Sequence, residues 1–131
     1  MILVAPPPVD ETKWNEWCRQ NGRDKSQRTD DSACAYGNQL LIVGKEMGCP
    51  VLDARGVLLR GGGGGVSDAE GCPHLTDGVH LTSSGNTLIF GGLMDVVRTE
   101  FPHLAPREYD VNGMPVGEGV PMEGKFWTEL C

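Results

Sequence analysis

Basic residues are scarce in this chain, with 11 Lys and Arg against 18 Asp and Glu and a formal net charge of −7. No cationic stripe exists to neutralise phosphates, which argues against nucleic acid and against anionic membrane surfaces as partners. Long apolar runs are lacking too: nothing approaches the roughly 18 residues that a membrane-spanning helix needs. The opening Met1-Ile2-Leu3-Val4-Ala5 has no basic lead-in and runs straight into Pro6-Pro7-Pro8, so it does not read as a secretory signal. There is no C-x-x-C. The five cysteines, Cys18, Cys34, Cys49, Cys72 and Cys131, are odd in number and irregularly spaced, which points to a reducing intracellular compartment. Cys34 and Cys49, in or beside apolar runs, read as small core residues. The spacing of Cys49, Cys72, His74 and His80 matches no common zinc pattern, and no metal or organic cofactor is expected.

At 131 residues the chain suffices for one domain with a modest core, and its 19 Gly and 9 Pro imply many turns. Ile2 to Ala5 is apolar without alternation, as in a parallel strand buried on both faces. Asp10-Glu11-Thr12 can cap a short helix in which Trp14, Trp17 and Cys18 share a face. The polar stretch 21–28 reads as a surface connection. A second helix starts near Thr29 or Asp30, carries Ala33, Tyr36, Gly37, Leu40, Leu41, Val43 and Met47 as its apolar stripe, and ends at Gly48. Val51-Leu52-Asp53 reads as a second buried strand, reached by a βαβ crossover. The five glycines at 61–65 are followed by no Gly-Lys-Ser/Thr and read as a flexible surface loop rather than a phosphate cradle. Thr82 or Ser83 caps a third helix with Ile89, Leu93, Val96 and Val97 on one face, closed by Pro102. Residues 102–131, rich in Pro and Gly, read as an extended or partly disordered tail on a domain spanning 1–101.

Two strands and three helices leave sheet edges and apolar faces uncovered. The unit therefore reads as incomplete, finished either by a protein partner covering the open sheet edge or by further sequence of the same protein.

The segment with most chemistry is Thr76-Asp77-Gly78-Val79-His80-Leu81-Thr82-Ser83-Ser84-Gly85-Asn86. A carboxylate three residues before a histidine, at the mouth of a helix, suits an acid–base pair. Asp77 can fix one tautomer of His80 and stabilise the imidazolium formed when His80 takes a proton. The plainer reading is an Asx turn followed by a surface histidine. His74 and His103 read as surface histidines, and Asp53 as a cap or cleft residue without catalytic work.

In order along the chain, Ile2-Leu3-Val4-Ala5-Pro6-Pro7-Pro8, Val51-Leu52-Asp53 and the Asp77–Asn86 segment resemble the GDSL (SGNH) esterases, specifically their isoamyl-acetate-hydrolysing branch. The resemblance covers about the first hundred residues and implies an α/β fold, the back half of a three-layer α/β/α (flavodoxin-like) SGNH-hydrolase domain with parallel strands. It implies hydrolysis of small, short-chain esters by a Ser-His-Asp triad, with His80 as base and Asp77 as its orienting carboxylate. The family's Gly-Asp-Ser nucleophile segment does not occur in this sequence, nor do its oxyanion-hole Gly and Asn blocks. Among possible substitutes, Ser83 and Ser84 belong to the helix cap, while Ser26, Ser32 and Ser67 lack a strand-to-helix elbow. Cys72 is a chemically possible nucleophile, although nothing in the sequence lowers its thiol pKa. On this reading the isolated chain is a poor esterase or none, and a non-catalytic structural subunit is the alternative.

Overall fold

The computed structural model describes residues 1–23, 28–60 and 69–106, with the backbone of 108–109 and 115–116. The glycine run at 61–65 and Cys131 lie outside the described residues. The first of two units, Met1–Leu93, holds the parallel pair β1 (Leu3–Val4) and β2 (Val51–Leu52), joined through α1 (Glu11–Gln20) and α2 (Asp30–Met47). It continues with α3 (Ala54–Arg60) and most of α4 (Ser83–Glu100).

Pairing follows the expected crossover, with Leu3 opposite Val51 and Val4 opposite Leu52. The N–H groups of Leu3 and Ala5 donate to Pro50 and Leu52 carbonyls, each at 2.9 Å. In a parallel ladder the intervening residue turns its N–H and C=O to the opposite edge. For Val4 that edge carries no strand among the described residues.

Local signals set the helix limits. Asp10 caps α1 by accepting from the Lys13 N–H at 3.0 Å, and Thr29 caps α2 by accepting from that of Ser32. Gly48 ends α2 with φ +63°, a conformation that glycine adopts without penalty. The side of α2 facing the strands carries glycines at the closest approaches, Gly37 and Gly44. A Cβ on Gly44 would lie 2.2 Å from Val51 Cγ2, so only glycine allows this approach. Across the sheet, α4 passes Leu52 and Val57 at Gly92. Asp30 ties α2 to its neighbours, accepting from the Val9 N–H and forming a two-pronged pair with Arg55 of α3.

Several expectations need correction. Val4 is 52% exposed, so β1 is not buried on both faces: α2 covers one side, and among the described residues no strand flanks it beyond Val4. Of the apolar stripe on α2, Tyr36, Leu41, Val43 and Met47 are exposed, because the close approach at Gly44 brings only the narrow line through Ala33, Gly37, Leu40 and Gly44 inward. Cys18 and Cys72 are the fully buried cysteines, while Cys34 and Cys49 are half-buried; all four are free thiols. Helix α3 was not anticipated. Its seven residues are too few to show a period, but Asp53 caps it through the Gly56 N–H at 2.9 Å.

The second unit, Met94–Cys131, contains the end of α4, a 3-10 turn at Pro102–Leu104 and an antiparallel pair, β3 (Glu108–Tyr109) with β4 (Pro115–Val116). The pair falls within the stretch 102–131 read from sequence as an extended or partly disordered tail, most of which lies outside the described residues. Two-residue strands are too short to betray alternation.

Candidate active site

Asp77 and His80 sit on a loop pinched at its base. The Thr76 N–H donates to the His80 carbonyl at 2.7 Å, the Thr82 N–H donates to the His74 carbonyl at 2.9 Å, and Leu75 bridges Leu81. The loop then enters α4, where Thr82 Oγ1 accepts from the Gly85 N–H at 3.1 Å as N-cap.

Within the loop the two carboxylate oxygens of Asp77 divide their work. Oδ1 accepts from the backbone N–H of Val79 at 3.0 Å and of His80 at 2.9 Å, which is the Asx turn. Oδ2 lies 2.7 Å from His80 Nδ1. The Asx turn and the carboxylate–imidazole contact therefore coexist in one residue, and the turn is what delivers the imidazole. An ionised carboxylate only accepts hydrogen bonds, so Nδ1 carries a proton, and in the neutral imidazole the lone pair then falls on Nε2.

Burial separates the two residues. The Asp77 side chain is 10% exposed and that of His80 is 67% exposed, so the imidazole projects into solvent from a sheltered anchor. Partial burial pushes the Asp77 acid upward. The His80 N–H, its imidazole and the Val79 N–H outweigh that effect and hold the carboxyl below the usual range. Trp14 meets the His80 ring edge-on, with centroids 6.3 Å apart and planes at 62°. Trp14 is itself stacked on Trp17 at 5.0 Å, which makes α1 the wall beside the histidine.

Sequence reasoning missed His74. It is buried, not a surface histidine, because α4 starts against it: its Nδ1 lies 3.0 Å from Ser84 Oγ, and a Cβ on Gly85 would strike its carbonyl. The Ser84 hydroxyl also lies 2.9 Å from Thr82 Oγ1. This pair does not amount to a catalytic dyad, since His74 Nε2 is buried without a partner among the described residues and so has no carboxylate behind it. A Ser-His spacing of ten residues across a turn gives no periodic signal by which sequence reading would find it. Cys72 is 1% exposed, so its thiol is not presented to a substrate. His103 is exposed as expected. Among the described residues no group of three or more His, Cys, Asp and Glu side chains is placed to hold a metal ion, and no helix is long and apolar enough to cross a membrane.

The isoamyl acetate-hydrolyzing esterase 1 homolog of Homo sapiens is 30% identical over 114 residues, covering 85% of this chain and 43% of that protein. The Bos taurus homolog is 29% identical over the same length. The chain is homologous to the GDSL esterases. A GDSL esterase/lipase of Arabidopsis thaliana extends the likeness, at 24% identity over 112 residues and 82% of this chain. No protein-family model matches the chain. This GDSL relative spans 43% of the length of the curated esterases it matches, and its small α/β unit with a parallel strand pair is consistent with part of their domain.

Proposed function

We propose that the chain supplies the acid–base half of a carboxylic ester hydrolase acting on small, short-chain esters. One observation carries this reading: the 2.7 Å contact between His80 Nδ1 and Asp77 Oδ2 leaves Nε2 as the lone-pair end of a solvent-facing ring. In the reaction, His80 Nε2 takes the hydroxyl proton of a serine as its oxygen bonds to the ester carbonyl. It then passes that proton to the departing alcohol as the carbon–oxygen bond breaks. Water attacks the acyl-enzyme with His80 again as base, while Asp77 stays ionised and stabilises the imidazolium.

The nucleophile and the oxyanion donors come from residues outside these 131, since Gly-Asp-Ser is absent from the sequence. Without oxyanion donors about 3–4 kcal/mol of transition-state stabilisation is missing, so the chain alone hydrolyses esters poorly or not at all. The edge of β1 away from β2 would accept such residues: among the described residues no strand pairs there, and Val4 is half-exposed. Translating the reading frame upstream of Met1 and assaying the completed product on p-nitrophenyl acetate tests the proposal. An in-frame Gly-Asp-Ser with hydrolysis abolished by His80→Ala supports it, and a completed product that hydrolyses equally well as His80→Ala overturns it.

The β1 edge, without a further strand among the described residues, also favours a second reading, a non-catalytic subunit whose sheet is completed by a partner protein. A start and preceding stop at Met1, with the chain recovered in a stoichiometric complex that protects Val4 from hydrogen exchange, would select that alternative.

A further inference from the structure

Asp10 is a buried carboxylate for which helix capping is an insufficient explanation. Serine or asparagine caps a helix as well as aspartate does, and removing a charged group from water is costly unless every lone pair finds a donor. Asp10 is 1% exposed and uses both oxygens: Oδ1 accepts from the Lys13 N–H at 3.0 Å, and Oδ2 accepts from the Gly71 N–H at 2.9 Å. Lys13 Nζ lies 3.5 Å from Oδ2 and donates to the Cys72 carbonyl at 2.8 Å. The backbone N–H of Asp10 donates to the Gly78 carbonyl at 2.9 Å. A single residue thus grips the chain before the site at Gly71 and the site loop itself at Gly78.

Gly78 lies between Asp77 and the Val79 N–H that Asp77 binds. Its φ is +97°, and a Cβ there would lie 2.3 Å from the Asp10 carbonyl oxygen and 2.7 Å from the Trp14 nitrogen. The first turn of α1 therefore seats directly on the loop's backbone, and the same turn carries Trp14 to the edge of the His80 ring.

We propose that Asp10 is a positioning residue for His80, acting through the Gly78 carbonyl and the first turn of α1. The inference rests on reading Asp77 and His80 as a catalytic pair. Asp10 touches neither the imidazole nor any reacting atom. Its work is to fix where Asp77 and His80 stand, so that Nδ1 meets Oδ2 and the proton resides on Nδ1.

The test uses the full chain and long-range proton–nitrogen correlation spectra of its imidazoles at a pH where they are neutral. This readout needs no ester hydrolysis. The unaltered chain is expected to show His80 as the Nδ1–H tautomer. Asp10→Asn keeps the size and one acceptor oxygen but confronts the Gly71 N–H with an amide; Gly78→Ala forces the loop away from α1. Both are expected to lose the single tautomer in favour of the mixture shown by free imidazole. Gly48→Ala is the control. It imposes the same left-handed strain at φ +63° with no atom within 4 Å of its Cβ, and it is expected to lower the melting temperature while leaving the His80 spectrum unchanged. Folded Asp10→Asn and Gly78→Ala chains with the unaltered His80 spectrum would falsify the positioning role and leave the esterase reading standing. If Gly78→Ala does not fold, Asp10→Asn alone decides by the same spectrum. An unaltered chain without the Nδ1–H tautomer removes both the positioning role and the dyad beneath it.

Discussion

The loop around Asp77 and the flank formed by β1 and α2 are finished to different degrees. At the loop, turn, clamp and cap use short hydrogen bonds: Asp77 Oδ1 to two backbone N–H groups, Thr76 to His80, Thr82 to Gly85, Asp10 to Gly71 and Gly78. At the flank, Val4 of β1 and Tyr36, Ile42 and Met47 of α2 remain exposed, and among the described residues no strand pairs with β1 on the side away from β2. The physical reason is range. The loop's interactions join groups that α1, the loop and the start of α4 bring together themselves, whereas apolar surface contributes only when a further surface removes it from water, at about 25 cal/mol per Å². A loop can thus be locally satisfied while an apolar flank of the same unit stays exposed. Exposed apolar patches of this kind commonly mark surfaces that another segment or protein covers.

The largest expected effect sharpens the loop side of this contrast. In a completed, active esterase, His80→Ala should lower kcat by about 10⁴, while circular dichroism and melting temperature stay near those of the parent because the imidazole is exposed. Next is the core, where Leu58 of α3 is fully buried. Leu58→Ala should cost about 2–5 kcal/mol in urea unfolding. A loss below about 1 kcal/mol would mean that the strand pair and α3 are loosely packed, and that the flank's lack of cover extends inward.

A smaller effect concerns acid. The folded-state pKa of Asp77 is depressed, so its contribution to stability is present above the ordinary carboxylate pKa and fades as the pH falls through the lower folded value. Asp30 behaves in the same direction: partial burial opposes its charge, and Arg55 and the Val9 N–H more than offset that. Melting temperature followed down through the carboxylate range should therefore fall, and Asp77→Asn should flatten part of that acid limb. An identical pH profile in Asp77→Asn would show that the turn does not favour the charged form.

The smallest effect belongs to the flank. Tyr36→Ser and Met47→Gln in the chain as it stands should each shift stability by no more than about 0.5 kcal/mol, measured by urea titration. A loss of about 2 kcal/mol from either would break the comparison, because it would mean that the flank is already packed.

Much of this was legible beforehand, for reasons that differ by element. The caps Asp10 and Thr29 and the stop at Gly48 act within four residues, so the helices α1 and α2 could be placed from their own sequence. The parallel pairing of β1 with β2 followed from two apolar runs separated by helical sequence. What misled was apolarity read as burial. Val4 and the outer residues of α2 are apolar yet exposed, and composition alone does not say whether an apolar residue is covered. His74 was misjudged for the opposite reason: its polarity suggested solvent, but the start of α4 at Ser84 and Gly85 closes over it.

By itself, then, the sequence determined the local devices: the Asx turn at Asp77, the histidine three residues on, the caps, and the absence of a Gly-Asp-Ser nucleophile. Those depend on interactions among near neighbours along the chain. Only the tertiary structure decided that Asp10, separated from the loop by three helices and a strand, would grip Gly71 and Gly78, that Trp14 would border His80, and that Cys72 would be shut away. Such contacts form when α1 and α4 converge on one loop, and no spacing rule along the sequence encodes that meeting.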